Sequence, residues 1–220
     1  VISTLAAAVM LVTAPLNGFT LPRLNSVHLD DLREQFNKVV YTYTLLIFIP
    51  SIFVLFYQKE IFEIWLSQKL SSEKLLIFTI YLLGNLVHIL SGFAYFIRYR
   101  FGISARFIAI SLLLTVIQAS LMYFISKHYG ALGTSVVWLT FAFIALFLLS
   151  FPKFFVVDAK LSWLRKVFIP MILTFSIFIF VWKSLISLIT NNLYFLFILG
   201  ALGTFLFVLI SLKKSNYKMV

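Results

Sequence analysis

Few side chains in this 220-residue chain could do chemistry, and most of those stand at the edges of apolar runs. Asn85 and His88 are different. They lie three positions apart inside a long apolar stretch, a spacing that puts them on one face if the stretch is helical. Together they offer hydrogen bonds to a sugar hydroxyl or a phosphate oxygen. The same pair also suits an interhelical bond that only holds a bundle together. Asn17, with Thr13 and Thr20, flanks Pro15. A proline frees a backbone carbonyl, which either lines a cavity or merely accompanies a bend. Arg23 and Arg98 stand where apolar runs end. The planar guanidinium fork suits a pyrophosphate, and a basic residue at that place equally serves topology. Lys183 lies near the end of another run, within snorkelling reach of the surface.

Other chemistries find no material. Cys is absent, which excludes a disulfide framework, Cys-ligated zinc and a thiol nucleophile. His28, His88 and His128 are too scattered for a metal-ligand spacing. There is no Walker A loop, no GxGxxG and no GxSxG. All seven acidic residues (Asp30, Asp31, Glu34, Glu60, Glu63, Glu73 and Asp158) fall between apolar runs. No membrane-embedded acid is therefore expected to carry a proton or a sodium ion. The expectation is a protein that is not an enzyme and uses no cofactor or metal.

The elements that must position these residues follow from composition. Apolar residues make up 62% of the chain and charged residues 11%, with a mean hydropathy of +1.06. Soluble domains are about 45–50% apolar and about 25% charged. The excess comes in runs of roughly 20 residues, the length of a bilayer-spanning helix. Seven spans are expected, at 1–22, 39–57, 75–97, 103–126, 131–151, 167–189 and 193–212. Backbone groups in lipid must be satisfied within their own segment, so the fold class is all-α, a polytopic transmembrane bundle. No long polar stretch divides it, and residues 1–220 read as one membrane domain. The chain begins at Val1 inside an apolar run, with no basic leader, and reads as the C-terminal part of a longer protein.

Charge sets the orientation. The net charge is +11, which fits loops facing anionic lipid rather than a nucleic-acid partner. One face receives Arg23, Arg33, Lys38, Arg98, Arg100, Arg106, Lys153, Lys160, Arg165, Lys166, Lys213, Lys214 and Lys218. The other receives only Lys59, Lys69, Lys74, Lys127 and Lys183. The positive-inside rule puts the richer face, and with it the C-terminus, in the cytoplasm. Leu29, Leu32, Phe36, Val39 and Val40 share one face of an amphipathic linker, which is expected to lie in the headgroup plane before the next span. Trp65, Trp163, Trp182, Tyr57, Tyr99, Tyr129 and Tyr194 sit at span ends, where such rings anchor at the interface. Gly200 and Gly203 permit close helix approach.

Three stretches carry a resemblance. One is "APLNGFTLPRLNSVHLDDLREQFNK", with Pro15, Pro22 and Arg23 before a charged linker. The second is "FYQKEIFEIWLSQ", in which Ser67 stands where a Gly is usual. The third is "YGALGTSVVW", where Gly130 and Gly133 open a span and Thr134 and Ser135 replace small apolar residues. The layout resembles the C-terminal half of the polysaccharide flippases of O-antigen and teichoic-acid type, in the multidrug/oligosaccharidyl-lipid/polysaccharide exporter superfamily. The resemblance implies a transporter of 12 or 14 spans in the cytoplasmic membrane, built as two bundles around a cavity. Its substrate would be a prenyl-pyrophosphate-linked oligosaccharide used for envelope polysaccharide. Its partners would be the lipid bilayer and polysaccharide polymerases or glycosyltransferases. On that reading the substrate path draws on Asn17, Arg23, Asn85, His88, Arg98 and Lys183. The alternative is a multidrug antiporter of the same superfamily, exporting organic cations, which wants a carboxylate within a span. A membrane polymerase or acyltransferase wants a large outer loop or a His/Arg/Glu cluster, and neither stands in the sequence.

Overall fold

A computed structural model describes residues 13, 18, 20, 22, 26, 28, 31–67, 69–101, 105–150, 169–189 and 193–216. The described chain is all-α. Among the described residues three helices are long and apolar enough to cross a membrane: Glu34–Phe56, Ser72–Gly92 and Ala105–Leu148. The chain divides into two compact units, one of residues 1–40 with 72–164 and one of residues 41–71 with 165–220.

Helix α1 (Leu32–Tyr43) buries Leu32, Phe36, Val39 and Val40, the face expected from the sequence. It does not turn at its end, as a linker lying in the headgroup plane would. A π-helical turn at Thr44–Phe48 carries it directly into α2 (Ile49–Phe56). The cause of that turn is Pro50, which has no N–H and whose ring crowds the carbonyl four residues back. Ile49 N–H donates to Thr44 O, five residues back, so the helix widens by one residue where the proline enters. The Ser51 hydroxyl donates to Ile47 O at 2.7 Å.

The segment 58–74, read from the sequence as an outer connection, is not irregular. Tyr57 leaves helical geometry (φ −107°, ψ 17°), and α3 (Gln58–Leu66) follows it. Ser67 ends α3 in the left-handed region at φ 53°, a conformation that normally favours glycine. Trp65 is exposed, as an interfacial anchor would be.

Helix α4 (Ser72–Phe101) buries Leu75, Phe78, Leu82, Leu86 and Ile89 at helical spacing. Helix α5 (Ala105–Ile144) continues into a second π-helical turn at Ala145–Ser150, ahead of Pro152 in the sequence. A straight helix over the 44 residues of Ala105–Leu148 would run about 66 Å, more than twice the roughly 30 Å of hydrocarbon in a bilayer. It is not straight. Gly130 has φ 57° and ψ −142°, which no helix contains. A Cβ on Gly133 would lie 2.5 Å from Ile125 Cγ2 and 2.6 Å from Tyr129 Cβ. Residues eight apart in a continuous helix are separated by about 12 Å along the axis. The chain therefore bends sharply at Gly130, and the break falls within the connection 127–130 read from the sequence. Leu112, Leu113, Val116 and Phe124, before the bend, are all exposed, as suits a lipid-facing surface.

In the other unit, α6 (Ile169–Ile189) and α7 (Leu193–Asn216) pack with α2 and α3. The core joins Ile49, Ile52, Phe53 and Tyr57 to Phe175 and Ile179. Phe207 lies 5.0 Å from Phe175 and 5.6 Å from Phe178, ring centre to ring centre.

Candidate functional site

Two polar clusters interrupt the apolar packing, one in each unit. In the first unit, a stripe of α4 runs Tyr81, Gly84, Asn85, His88, Ser91 and Gly92, small or polar residues at helical spacing. The second half of α5 packs with α4, and Trp138 comes against this stripe. Its indole N–H donates to Asn85 Oδ1 at 3.0 Å. Gly84 makes the seat: a Cβ there would collide with the pyrrole edge of the indole, leaving Nε1 2.8 Å away. The His88 ring lies 5.6 Å from Trp138, tilted by 36°. Asn85 is buried, Trp138 is half-buried and His88 is exposed. Asn85 and His88 thus share a face, as their spacing requires, but they do different things. Asn85 serves an interhelical bond, whereas His88 presents its imidazole at the surface of the unit.

In the second unit, Lys183 of α6 reaches the junction of α2 and α3. Its ammonium donates to Phe56 O at 2.6 Å and pairs with Glu60 Oε1 at 2.6 Å. It also stands 4.7 Å over the Tyr57 ring. Phe56 ends α2, so its carbonyl has no intrahelical donor. Glu60 lies in the first turn of α3, where a carboxylate meets the positive end of the helix. One lysine therefore caps one helix and neutralises the start of the next. The Glu60 side chain is 10% exposed and that of Lys183 29%, so this is an internal ion pair and not a snorkelling lysine. Sequence position had put Glu60 in a solvated connection; its burial follows from α3 folding back onto the apolar unit.

Tyr57 and Trp182, expected as interfacial anchors, serve packing. Tyr57 is fully buried with its ring against Gly200. Trp182 donates its indole N–H to Leu199 O at 3.0 Å and lies against Gly203. The Gly200-x-x-Gly203 pair thus receives two aromatic rings. A Cβ on Gly200 would sit 2.6 Å from Tyr57 Cζ, and a ring with no exposed edge has nowhere to withdraw. Gly200→Val is expected to cost about 1–3 kcal/mol through overpacking, read as earlier thermal unfolding of the purified protein.

Arg98 falls within α4, with its side chain outside the description, and Asn17 and Arg23 lie outside the described residues. Among the described residues no group of three or more His, Asp or Glu is placed to hold a metal ion. Trp138, Glu60 and Tyr57 are the participants that sequence reading missed. For Trp138 the available signal was its place well inside a span, away from both interfaces. No protein-family model, curated protein or solved structure matches the chain, and the chemistry of both clusters is read from their residues alone.

Proposed function

We propose that this chain is the C-terminal part of a flippase that moves a prenyl-pyrophosphate-linked oligosaccharide across the cytoplasmic membrane. The whole transporter would have 12 or 14 spans, seven of them here, with the C-terminus in the cytoplasm. The observation that carries the reading is the exposed His88 on a membrane-length apolar helix. An imidazole facing hydrocarbon is costly, so its surface is better matched to a hydrated path than to lipid. The head group of such a substrate sets the same requirement, because each unpaired polar group in hydrocarbon costs several kcal/mol. Two further features agree with the resemblance. The left-handed backbone at Ser67 stands where the family usually has Gly, and the bend at Gly130 opens the third of the stretches that carry the resemblance.

The multidrug antiporter receives less support. A cation-exporting path wants a free carboxylate, and Glu60 is already paired with Lys183. Deleting the gene and measuring which leaflet holds the lipid-linked sugar tests the proposal. The expected result is accumulation on the cytoplasmic leaflet, loss of surface polysaccharide and unchanged tolerance of cationic dyes. Normal polysaccharide with new dye sensitivity would overturn it in favour of the antiporter.

A further inference from the structure

We propose that Trp138, pinned by Asn85 and seated on Gly84, forms with His88 a carbohydrate platform that takes one pyranose ring of the transported head group. This rests on the transport reading above and adds the place and the chemistry of sugar recognition.

A pyranose presents C–H bonds on its ring faces and hydroxyls around its rim. An indole offers a flat, electron-rich surface to the first. A neutral imidazole offers the second both a donor and an acceptor. The two stand side by side here, ring centres 5.6 Å apart and planes tilted by 36°, with the imidazole on the exposed side and the indole half-buried. Their order is built in before any ligand arrives. The N–H bond to Asn85 fixes the indole, and the absent Cβ of Gly84 leaves the space its pyrrole edge fills. The Ser91 hydroxyl donates to the His88 carbonyl at 2.6 Å, adding a bond to the backbone that carries the imidazole. A surface already ordered loses little freedom on binding.

The alternative occupant of an aromatic face is an organic cation. Such a ligand wants a carboxylate nearby, and the acidic residue on α4 is Glu73, in its first turn. Fifteen residues of helix separate Glu73 from His88, about 22 Å along the axis. A neutral, hydroxyl-rich ring fits the platform better.

The test uses the full-length protein in nanodiscs with 5-fluorotryptophan at its tryptophans, four of which lie in these 220 residues, the Trp138 resonance being assigned by its loss in Trp138→Phe. The probes are prenyl pyrophosphates bearing glucose, galactose or N-acetylglucosamine, the same carrier without sugar, and tetraphenylphosphonium. At least one sugar-bearing carrier is expected to shift the Trp138 resonance and to bind about tenfold more tightly than the bare carrier. Trp138→Leu should remove that difference while leaving binding of the bare carrier unchanged, and Trp138→Phe should keep most of it. His88→Leu should weaken the sugar-bearing carrier alone. Equal binding of sugared and bare carriers, or full sugar discrimination by a folded Trp138→Leu protein, would overturn the platform. If gene deletion nonetheless traps the lipid-linked sugar on the cytoplasmic leaflet, only the platform falls. If tetraphenylphosphonium alone shifts Trp138, the platform falls as a sugar site, and an unchanged leaflet distribution after gene deletion would take the transport reading with it.

Discussion

Lys183→Met is expected to destabilise the protein by about 3 kcal/mol, the low end of the range for removing one partner of a buried ion pair. The low end applies because the lysine side chain is 29% exposed while that of Glu60 is 10% exposed. The larger loss is borne by the partner left behind. Glu60 Oε2 is buried with no hydrogen-bond partner, and the Lys183 ammonium is what its other oxygen holds. Remove the lysine and a carboxylate stays in an apolar unit with its charge unanswered, as does the final carbonyl of α2. The double variant Lys183→Met with Glu60→Leu should recover much of the loss, since it buries no charge and leaves only the Phe56 carbonyl short of a donor. Glu60→Gln alone should cost less than Lys183→Met, because an amide oxygen still accepts from the ammonium. Equilibrium unfolding of the parent, Lys183→Met, Glu60→Leu and the double variant gives the coupling as a double-mutant cycle. Additive losses would show that the pair contributes nothing beyond its separate side chains.

Gly130→Val should be comparably damaging, for a different reason. The backbone at φ 57° and ψ −142° lies where only glycine is at ease, and a β-branched side chain there is a genuine outlier. The cost is about 3 kcal/mol, the upper end for a strained residue. The strain is also directional: relieving it straightens α5 and pulls Gly133 away from Ile125 and Tyr129. We expect lower thermal stability, read as earlier unfolding of the purified protein. Gly92→Ala is the control, since nothing lies within 4 Å of its added Cβ. It should be neutral or stabilising, because Ala is the better helix former by about 1 kcal/mol. Equal losses at both glycines would mean that the bend is not what Gly130 supplies.

How far each feature was legible depends on whether its cause is local. The buried stripe of α1 was readable at Leu32, Phe36, Val39 and Val40, because periodicity is written in consecutive residues. So was the break near Gly130, between two apolar runs too long together for one crossing. The uninterrupted passage from α1 through Pro50 into α2 was not legible. A proline marks a disturbance, but whether the helix stops or widens depends on the i−5 bond it can make. The same limit applied to side chains. The i, i+3 spacing put Asn85 and His88 on one face, yet nothing in that spacing says that Trp138, 53 residues on from Asn85, takes up the amide and leaves the imidazole exposed.

By itself the sequence determined the apolar surroundings its long helices suit, the helical class and the sequence position of the break near Gly130. These depend on composition and on neighbours within a few turns. Tertiary structure alone decided which charges are solvated and which are internal. Lys183 and Glu60 are 123 positions apart, and either one read alone is a surface residue at the end of an apolar run. Only the packing of α3 on α7 and of α2 on α6 and α7 brings them within 2.6 Å. Gly200 and Gly203 read as contact points between backbones and became seats for Tyr57 and Trp182, because the space left by a missing Cβ is filled by whatever the fold presents to it.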